Sequence, residues 1–350
     1  MMRNVLIIKL RYIGDVLLAT LTARAIKSAR PDVRVTMLVT RGTEDVLLGN
    51  PDIDEFLIID KDSLAAQWQL ITGLRRRRFD AVLDLTDGDR AAFLSWISGA
   101  PVRIGFNDGH RWQGRFYTQV VRFERGVQHR IDRDLEALKL VNIQSGSQDP
   151  HVWLTPEEEQ SADQLLDQLG VQRSLPIVIL QPGARYWVKA WPPERFAELV
   201  DRLVSQYGCQ VLIGGSRQET NLAQQIQQMA ISRSIVMAGR TTVRQFASIA
   251  KKSALFIGND SGAMHIASAV GTPVVALFGP SNPREWHPRG GPVEILYKGL
   301  DCGRCSNSIC TRGEESCMKL IVVDEVFAAA QRLLFAGKPR TKAMQSASDH

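Results

Sequence analysis

Three turns in this chain set reactive side chains beside glycine where an apolar, β-branched run gives way to a helical pattern. In Arg11-Tyr12-Ile13-Gly14-Asp15 a carboxylate stands at a helix start on the carboxyl edge of a parallel sheet, the edge at which such sheets bind ligands. Asp15 there has the chemistry of a general base for a hydroxyl nucleophile, given hydrogen-bond reach. A carboxylate in the first helical turn also caps or offsets the helix dipole, and the residue type alone leaves both readings open. Gln181-Pro182-Gly183-Ala184 ends a strand and is followed by Arg185, Lys189, Trp191 and Pro192. Its backbone N–H groups with Lys189 or Arg185 would make a diphosphate cradle, unless it is an ordinary strand-to-helix turn with exposed basic residues. Gly258-Asn259-Asp260-Ser261-Gly262-Ala263-Met264-His265 has the form strand, polar turn, helix start. The helix N-terminus suits a phosphate and Asp260 or His265 suits hydroxyl groups, alongside capping by Asp260 or Ser261 and packing of His265 among apolar neighbours.

Weaker signals accompany these. Phe278-Gly279-Pro280-Ser281-Asn282-Pro283 turns out of a strand at the same edge, to contact a ligand or shape the loop. Glu219, after Gly214-Gly215-Ser216, is placed to hold ribose hydroxyls or to cap a helix. Cys302, Cys305, Cys310 and Cys317 have a spacing that four zinc or iron–sulfur ligands would share with plain reduced thiols. Any metal there would be structural, and no carboxylate pair stands out as a catalytic metal site. Arg75 to Arg78 reads as the solvated end of a helix; with Arg103, Arg111, Arg115 and Arg122 it makes the first domain basic.

The elements that hold these turns alternate in a βα rhythm, which means a parallel sheet with crossover helices. Strand patterns cover residues 5–10, 33–39, 55–60 and 80–86, then 177–182, 209–215, 234–239, 254–260 and 273–279. The first crossover helix runs from Asp15 to Ala29 and breaks at Arg30-Pro31. Residues 104–121 lack periodicity and read as a long loop or irregular hairpin with acceptor contacts. Helices follow over about 127–141 and from Pro156, with Thr155 as N-cap, and a last one spans Asp324 to Phe335. The expected division is 1–170, 171–336 and a disordered tail at 337–350.

A chain of 350 residues that is 44% hydrophobic and 23% charged has material for two cores and is not a disordered or fibrous chain. Its formal charge of +6 points to an acidic partner: nucleic acid, an anionic membrane face or a phosphorylated substrate. No run approaches the roughly 20 apolar residues that span a bilayer, and the N-terminus lacks the features of an export signal. Five cysteines fit a reducing compartment, so the expectation is a cytoplasmic protein. A dehydrogenase reading fails at the first turn, which has Gly14 where a dinucleotide fingerprint needs three glycines. A nucleic-acid reading finds no aromatic-basic strand or recognition helix.

These motifs, in this order over about residues 4–335, resemble glycosyltransferase family 9, the heptosyltransferases of lipopolysaccharide core assembly. KLRYIGDVLLAT and DLTDGDRAAFLSWISGA look most like its heptosyltransferase III branch, whereas Arg185 to Val188 departs from the threonine-rich turn of heptosyltransferase I. The resemblance implies an α/β protein of GT-B architecture, two doubly wound Rossmann-like domains facing a central cleft. It makes Asp15 the catalytic base of an inverting transfer; Gly14 beside it, and Arg111 in the 104–121 segment, are expected to contact the acceptor. It assigns Lys189, Asp260, Ser261, Gly262 and His265 to an ADP-heptose donor, with the Phe278–Pro280 turn nearby, and the turns that carry Gly183 and Glu219 are expected on the same donor. No cofactor or catalytic metal is implied. The implied partners are ADP-heptose, an inner-core lipopolysaccharide acceptor and the anionic inner-membrane surface, not nucleic acid. Another nucleotide-sugar transferase or an epimerase of the same fold shares these features.

Overall fold

The computed structural model describes residues 2–60, 63–107, 112–124, 126–144, 149–300, 305 and 309–336. Arg111, Cys302 and the 337–350 tail, named above for an acceptor contact, a metal cluster and disorder, lie outside the described residues. The chain forms two compact units. One runs to Thr155 and includes Arg284–His287; the other starts at Pro156, breaks at Pro283 and resumes at Pro288.

In the first unit, six described strands form one sheet: β1 (Asn4–Lys9), β2 (Arg34–Thr40), β3 (Glu55–Ile59), β4 (Ala81–Asp84), β5 (Val102–Phe106) and β6 (Gln119–Val121). Their order is β3-β2-β1-β4-β5-β6 and every pairing is parallel. The helices are α1 (Ile13–Ala29), α2 (Leu64–Arg76), α3 (Asp89–Ile97) and α4 (Arg130–Lys139). β1 lies at the centre with Val5 to Ile8 wholly buried, as a strand covered on both faces must be. From β1 the chain winds outward through β2 and β3, then returns to β4 on the other side and winds out again. The reversal leaves a crevice at the carboxyl ends of β1 and β4, where doubly wound sheets collect their ligands. α1 ends at Ala29 because Arg30, ahead of Pro31, takes an extended conformation (φ −146°, ψ 85°).

Residues 104–121 correct the expectation of a loop or hairpin: they contain the end of β5, a 3-10 turn at Trp112–Phe116, and β6, which pairs parallel to β5. A glycine hides the strand in the sequence. A Cβ on Gly105 would lie 2.2 Å from Tyr117 Cζ, so the tyrosine ring takes the place of a side chain there.

The second unit repeats the plan with β7 (Ile177–Gln181), β8 (Gln210–Ile213), β9 (Ser234–Val236), β10 (Leu255–Asn259), β11 (Val274–Phe278) and β12 (Val293–Tyr297). The order is β12-β11-β10-β7-β8-β9, again all parallel, with the reversal between β7 and β10. Its helices include α5 (Pro156–Gln168), α6 (Pro193–Tyr207), α7 (Thr220–Met229), α8 (Val243–Lys251) and α9 (Gly262–Ala269). One of its core clusters joins Trp191 and Phe196 to Phe327 of the helix Val323–Leu334. α5, expected within the first domain, groups with this unit, so the division falls at residue 155 rather than 170. Helix α5 buries Ala162, Leu165 and Leu166, and ion pairs join it to α8. Arg244 of α8 donates to both carboxylate oxygens of Glu158 at 2.7 and 2.6 Å, and Lys251 reaches Glu159 at 2.6 Å.

Candidate active site

At the first unit's crevice, β1 delivers Lys9 and α1 delivers Gly14 and Asp15. Gly14 is buried, and Asp15 is the third residue of the helix, not its cap, which is Tyr12. The Asp15 side chain keeps 12% of its exposure, and its Oδ1 lies 4.0 Å from the ammonium of Lys9, which has none. Lys9 Nζ donates to Leu85 O at 2.9 Å and to Asp134 Oδ2 at 2.8 Å. Asp134 also pairs with Arg130 Nε at 3.0 Å, and Arg130 shares the Leu85 carbonyl. Burial, reinforced by Arg130, pushes the Lys9 ammonium down to about 8, while Asp134 and Asp15 pull it back up. Burial alone would raise Asp134, but Arg130, Lys9 and Arg133 outweigh it and hold the carboxyl below its ordinary value. Arg133 stacks over Phe123 and Phe106 at 4.3 and 4.9 Å, and burial, then Arg130, lowers it to about 10. The crevice thus holds one poised carboxylate braced by a buried, mutually compensated cluster.

β4 supplies the opposite wall. Asp84, wholly buried, accepts from Tyr117 Oη at 2.6 Å and from Thr86 N at 2.8 Å. Burial raises its carboxyl to about 6 despite these bonds. Thr86 Oγ1 accepts from Leu10 N, tying this turn to the one after β1. Asp87 sits in the left-handed region at φ 60°, a conformation aspartate tolerates better than most residues, and accepts from Gln113 Nε2 at 3.3 Å. Sequence reasoning missed Lys9, Asp84, Arg130, Arg133 and Asp134. The signal was present in two of them, since a charge inside a doubly covered strand is anomalous unless paired.

In the second unit the structure brings the expected donor residues together from three strand ends. Lys189 donates to Asp260 Oδ2 at 2.7 Å. Glu219 follows β8 and lies directly over Gly183, where a Cβ would come within 1.9 Å of its Oε1. Its other oxygen accepts from Ser216 N at 2.6 Å, so the capping reading of Glu219 holds, with Oε1 turned over the glycine. Asn259, assigned no role from the sequence, accepts from Trp191 N at 3.1 Å and donates to Pro182 O at 2.7 Å. That residue clamps the turn after β7 to the turn after β10.

α9 begins at Gly262 with Ser261 as N-cap residue, and one expectation is corrected there. Ser261 makes no capping hydrogen bond, and its buried Oγ has no partner, as is also true of Ser281 Oγ. Asp260 does not cap either, because its carboxylate is engaged by Lys189. The backbone at Ser261 is fully extended (φ −154°, ψ 167°). The helix's first N–H groups are therefore left for something other than the serine, the arrangement that binds anions. His265 is buried at 4% exposure on α9. Gly279 packs against Met318, 2.8 Å from its sulfur by an added Cβ, so the Phe278–Pro280 turn is fixed from behind.

Of the cysteine cluster, Cys305 and Cys310 are half-buried and Cys317 is buried. Among the described residues no three His, Cys, Asp or Glu side chains are grouped to hold a metal.

Two doubly wound parallel units, each with reactive residues at its switch point, define the GT-B class of glycosyltransferases. Residues 67–314 match the profile of Glycosyltransferase family 9 (heptosyltransferase), and the chain belongs to that family. It is 29% identical to lipopolysaccharide heptosyltransferase 3 of Escherichia coli strain K12, covering 93% of this chain and 96% of that one. The likeness to the heptosyltransferase III branch agrees with this relative. Among solved structures it is similar to a family 9 glycosyl transferase from Veillonella parvula, with TM-score 0.83, 24% identity, and 96% and 98% of the two chains covered. The E. coli ADP-heptose lipopolysaccharide heptosyltransferase II follows, with TM-score 0.79, 20% identity, and 96% and 100% covered. The chain is a glycosyltransferase by these comparisons, and the expected fold is borne out.

Proposed function

We propose that this enzyme transfers a heptosyl group from ADP-heptose to an inner-core sugar of lipopolysaccharide, a heptose in the branch it resembles, with inversion at the anomeric carbon. The observation that carries the mechanism is the Asp15 carboxylate, partly exposed in the first turn of α1 and braced by the buried Lys9 ammonium. Asp15 takes the proton of the acceptor hydroxyl as that oxygen bonds to the anomeric carbon. The bond from that carbon to the β-phosphate oxygen breaks, and its electron pair leaves with ADP. Gly14 and Arg111 contact the acceptor, and Lys9, Arg130 and Asp134 keep the base in place. The developing charge on the diphosphate meets the N-terminus of α9 and Lys189, which shifts part of its contact from Asp260 to the phosphates. Ser261 Oγ and the amide of Gly262 are donors for the same oxygens. Gly183 makes room for the Glu219 carboxylate on the donor side of the turn, and Glu219 Oε1 and His265 serve the donor's hydroxyl groups. The acceptor's lipid places the work at the inner face of the inner membrane. No helix among the described residues is long and apolar enough to cross a membrane, so attachment would be peripheral.

Asp15→Asn tests the base. Turnover is expected to fall roughly a hundredfold or more while ADP-heptose binding by calorimetry stays within about twofold of wild type. Wild-type turnover in the variant would remove Asp15 from the mechanism. Titration with UDP- and GDP-sugars tests the donor, since tighter binding of either than of ADP-heptose would keep the fold and overturn the substrate.

A further inference from the structure

α3 is apolar on both sides. Ala91, Ala92 and Leu94 face the core, yet the opposite face carries Phe93 and Trp96 at 42% and 51% exposure. The 3-10 turn Trp112–Phe116 packs against α3 and extends that outer face. Trp112, 61% exposed, meets Phe116 with ring centroids 5.4 Å apart, and Phe116 meets Trp96 at 5.9 Å and Phe93 at 6.2 Å. Four linked rings at a surface are costly in water and ask for a covering partner.

Charge says which partner. Arg90 is exposed three residues before Phe93 on the same helix, and Arg115 is exposed between Trp112 and Phe116. Arg103 donates to the Phe116 carbonyl at 2.8 Å and the Ala100 carbonyl at 2.7 Å. Arg75 lies at the far end of α3, its Cγ 3.9 Å from where a Cβ of Gly99 would be. Among the described residues none of the four is in an ion pair with a carboxylate. Aromatic rings with unneutralised arginines around them match the headgroup layer of an anionic bilayer, where rings settle and basic side chains gain from the surface potential.

Position supports the same occupant. The segment that carries Trp112 and Phe116 also carries Gln113, bonded to Asp87, and Tyr117, bonded to Asp84. The patch is therefore built on the side chains that wall the first unit's crevice. We propose that this aromatic face seats the enzyme on anionic phospholipid, holding the crevice where a lipid-borne acceptor presents its sugars. The inference rests on the acceptor class proposed above.

Two readouts separate the two readings. The first is sedimentation of the protein with vesicles of phosphatidylethanolamine and phosphatidylglycerol, or of phosphatidylcholine alone. The second is heptosyl transfer to a delipidated acceptor. Wild type is expected to partition onto the anionic vesicles, and to be released by salt. Phe93→Ser with Trp96→Ser, and separately Arg90→Gln with Arg115→Gln, are expected to weaken partition roughly tenfold or more, with turnover on the delipidated acceptor unchanged. Equal partition of wild type and both variants would overturn the patch, as would equal binding to neutral vesicles. Light scattering that shows a wild-type dimer and a monomeric Phe93→Ser, Trp96→Ser variant would assign the face to a second copy instead, also overturning the proposal. Absence of transfer by wild type to the delipidated acceptor would count against the proposed reaction and leave the vesicle result standing.

Discussion

Lys9 closes a strand in which Val5 to Ile8 are wholly buried, so its charge is compensated inside the protein by Asp134, with Asp15 at 4.0 Å on the open side. Removing one member of such a cluster leaves buried charge behind. Lys9→Met is expected to cost about 3 kcal/mol in urea unfolding. It is also expected to lower kcat with little change in the KM for ADP-heptose, because the ammonium lies 4.0 Å from Asp15, the proposed base, and is given no donor contact. An unchanged kcat would reduce Lys9 to a structural role. Asp84 gives a pH signature. Its folded carboxyl holds a proton up to about pH 6, whereas the ordinary value for aspartate is 3.8, so the folded state binds the extra proton between those values. Its contribution to stability is therefore greatest below about pH 4 and declines as pH rises through 6, by roughly 3 kcal/mol. Asp84→Asn lacks this slope, and denaturant unfolding should show the variant gaining on wild type as pH rises from about 4 to 6. A pH-independent difference would refute the assignment. Neither residue was given a role from the sequence, because an isolated Lys or Asp in an apolar run does not name its partner.

α8 and α9 show how a helix start is used in two ways. Thr242 caps α8 by accepting from Gln245 N at 3.1 Å, whereas Ser261 ahead of α9 makes no such bond. Thr242→Ala is expected to cost about 1 kcal/mol. Ser261→Ala is expected to leave thermal stability within about 0.5 kcal/mol of wild type. The same change should weaken ADP-heptose binding roughly tenfold in calorimetry, the worth of one hydrogen bond to a charged group. A stability loss like that of Thr242→Ala, with affinity intact, would return Ser261 to capping. The elements themselves were largely legible. Nine strand patterns and the α1 helix stood out because buried parallel strands are continuous β-branched runs. β6 and β12 did not: β6 has three residues, and β12 is a five-residue edge strand, partly exposed and interrupted by Glu294, instead of a continuous buried run. β5 was obscured by Gly105, whose missing side chain makes room for Tyr117.

At the scale of the whole molecule, four residues from late in the chain complete the first unit. Trp286 packs on the cluster of Leu18, Leu21 and Ile131 and lies 5.8 Å from the Arg130 guanidinium, while Glu285 accepts from Gly126 N at 2.7 Å. Trp286→Ala in the full chain is expected to lose about 2 kcal/mol in the transition that reports the first unit, less than a fully buried tryptophan would. Hydrogen exchange should place the loss in α1 and α4, and protection unchanged there would contradict this. By itself the sequence determined that there would be two βα units, and it located Asp15, Lys189 and Asp260 at strand ends. Those features depend on periodicity and turn chemistry within a few residues. Only the tertiary structure decided that Lys9 would meet Asp134, 125 positions away, and that Lys189 would meet Asp260, 71 away. It also decided that Glu219 would lie over Gly183 and that α5 would join the second unit. Such pairings follow from the order in which strands enter a sheet, and the local pattern of residues along one strand carries no record of which strand lies beside it.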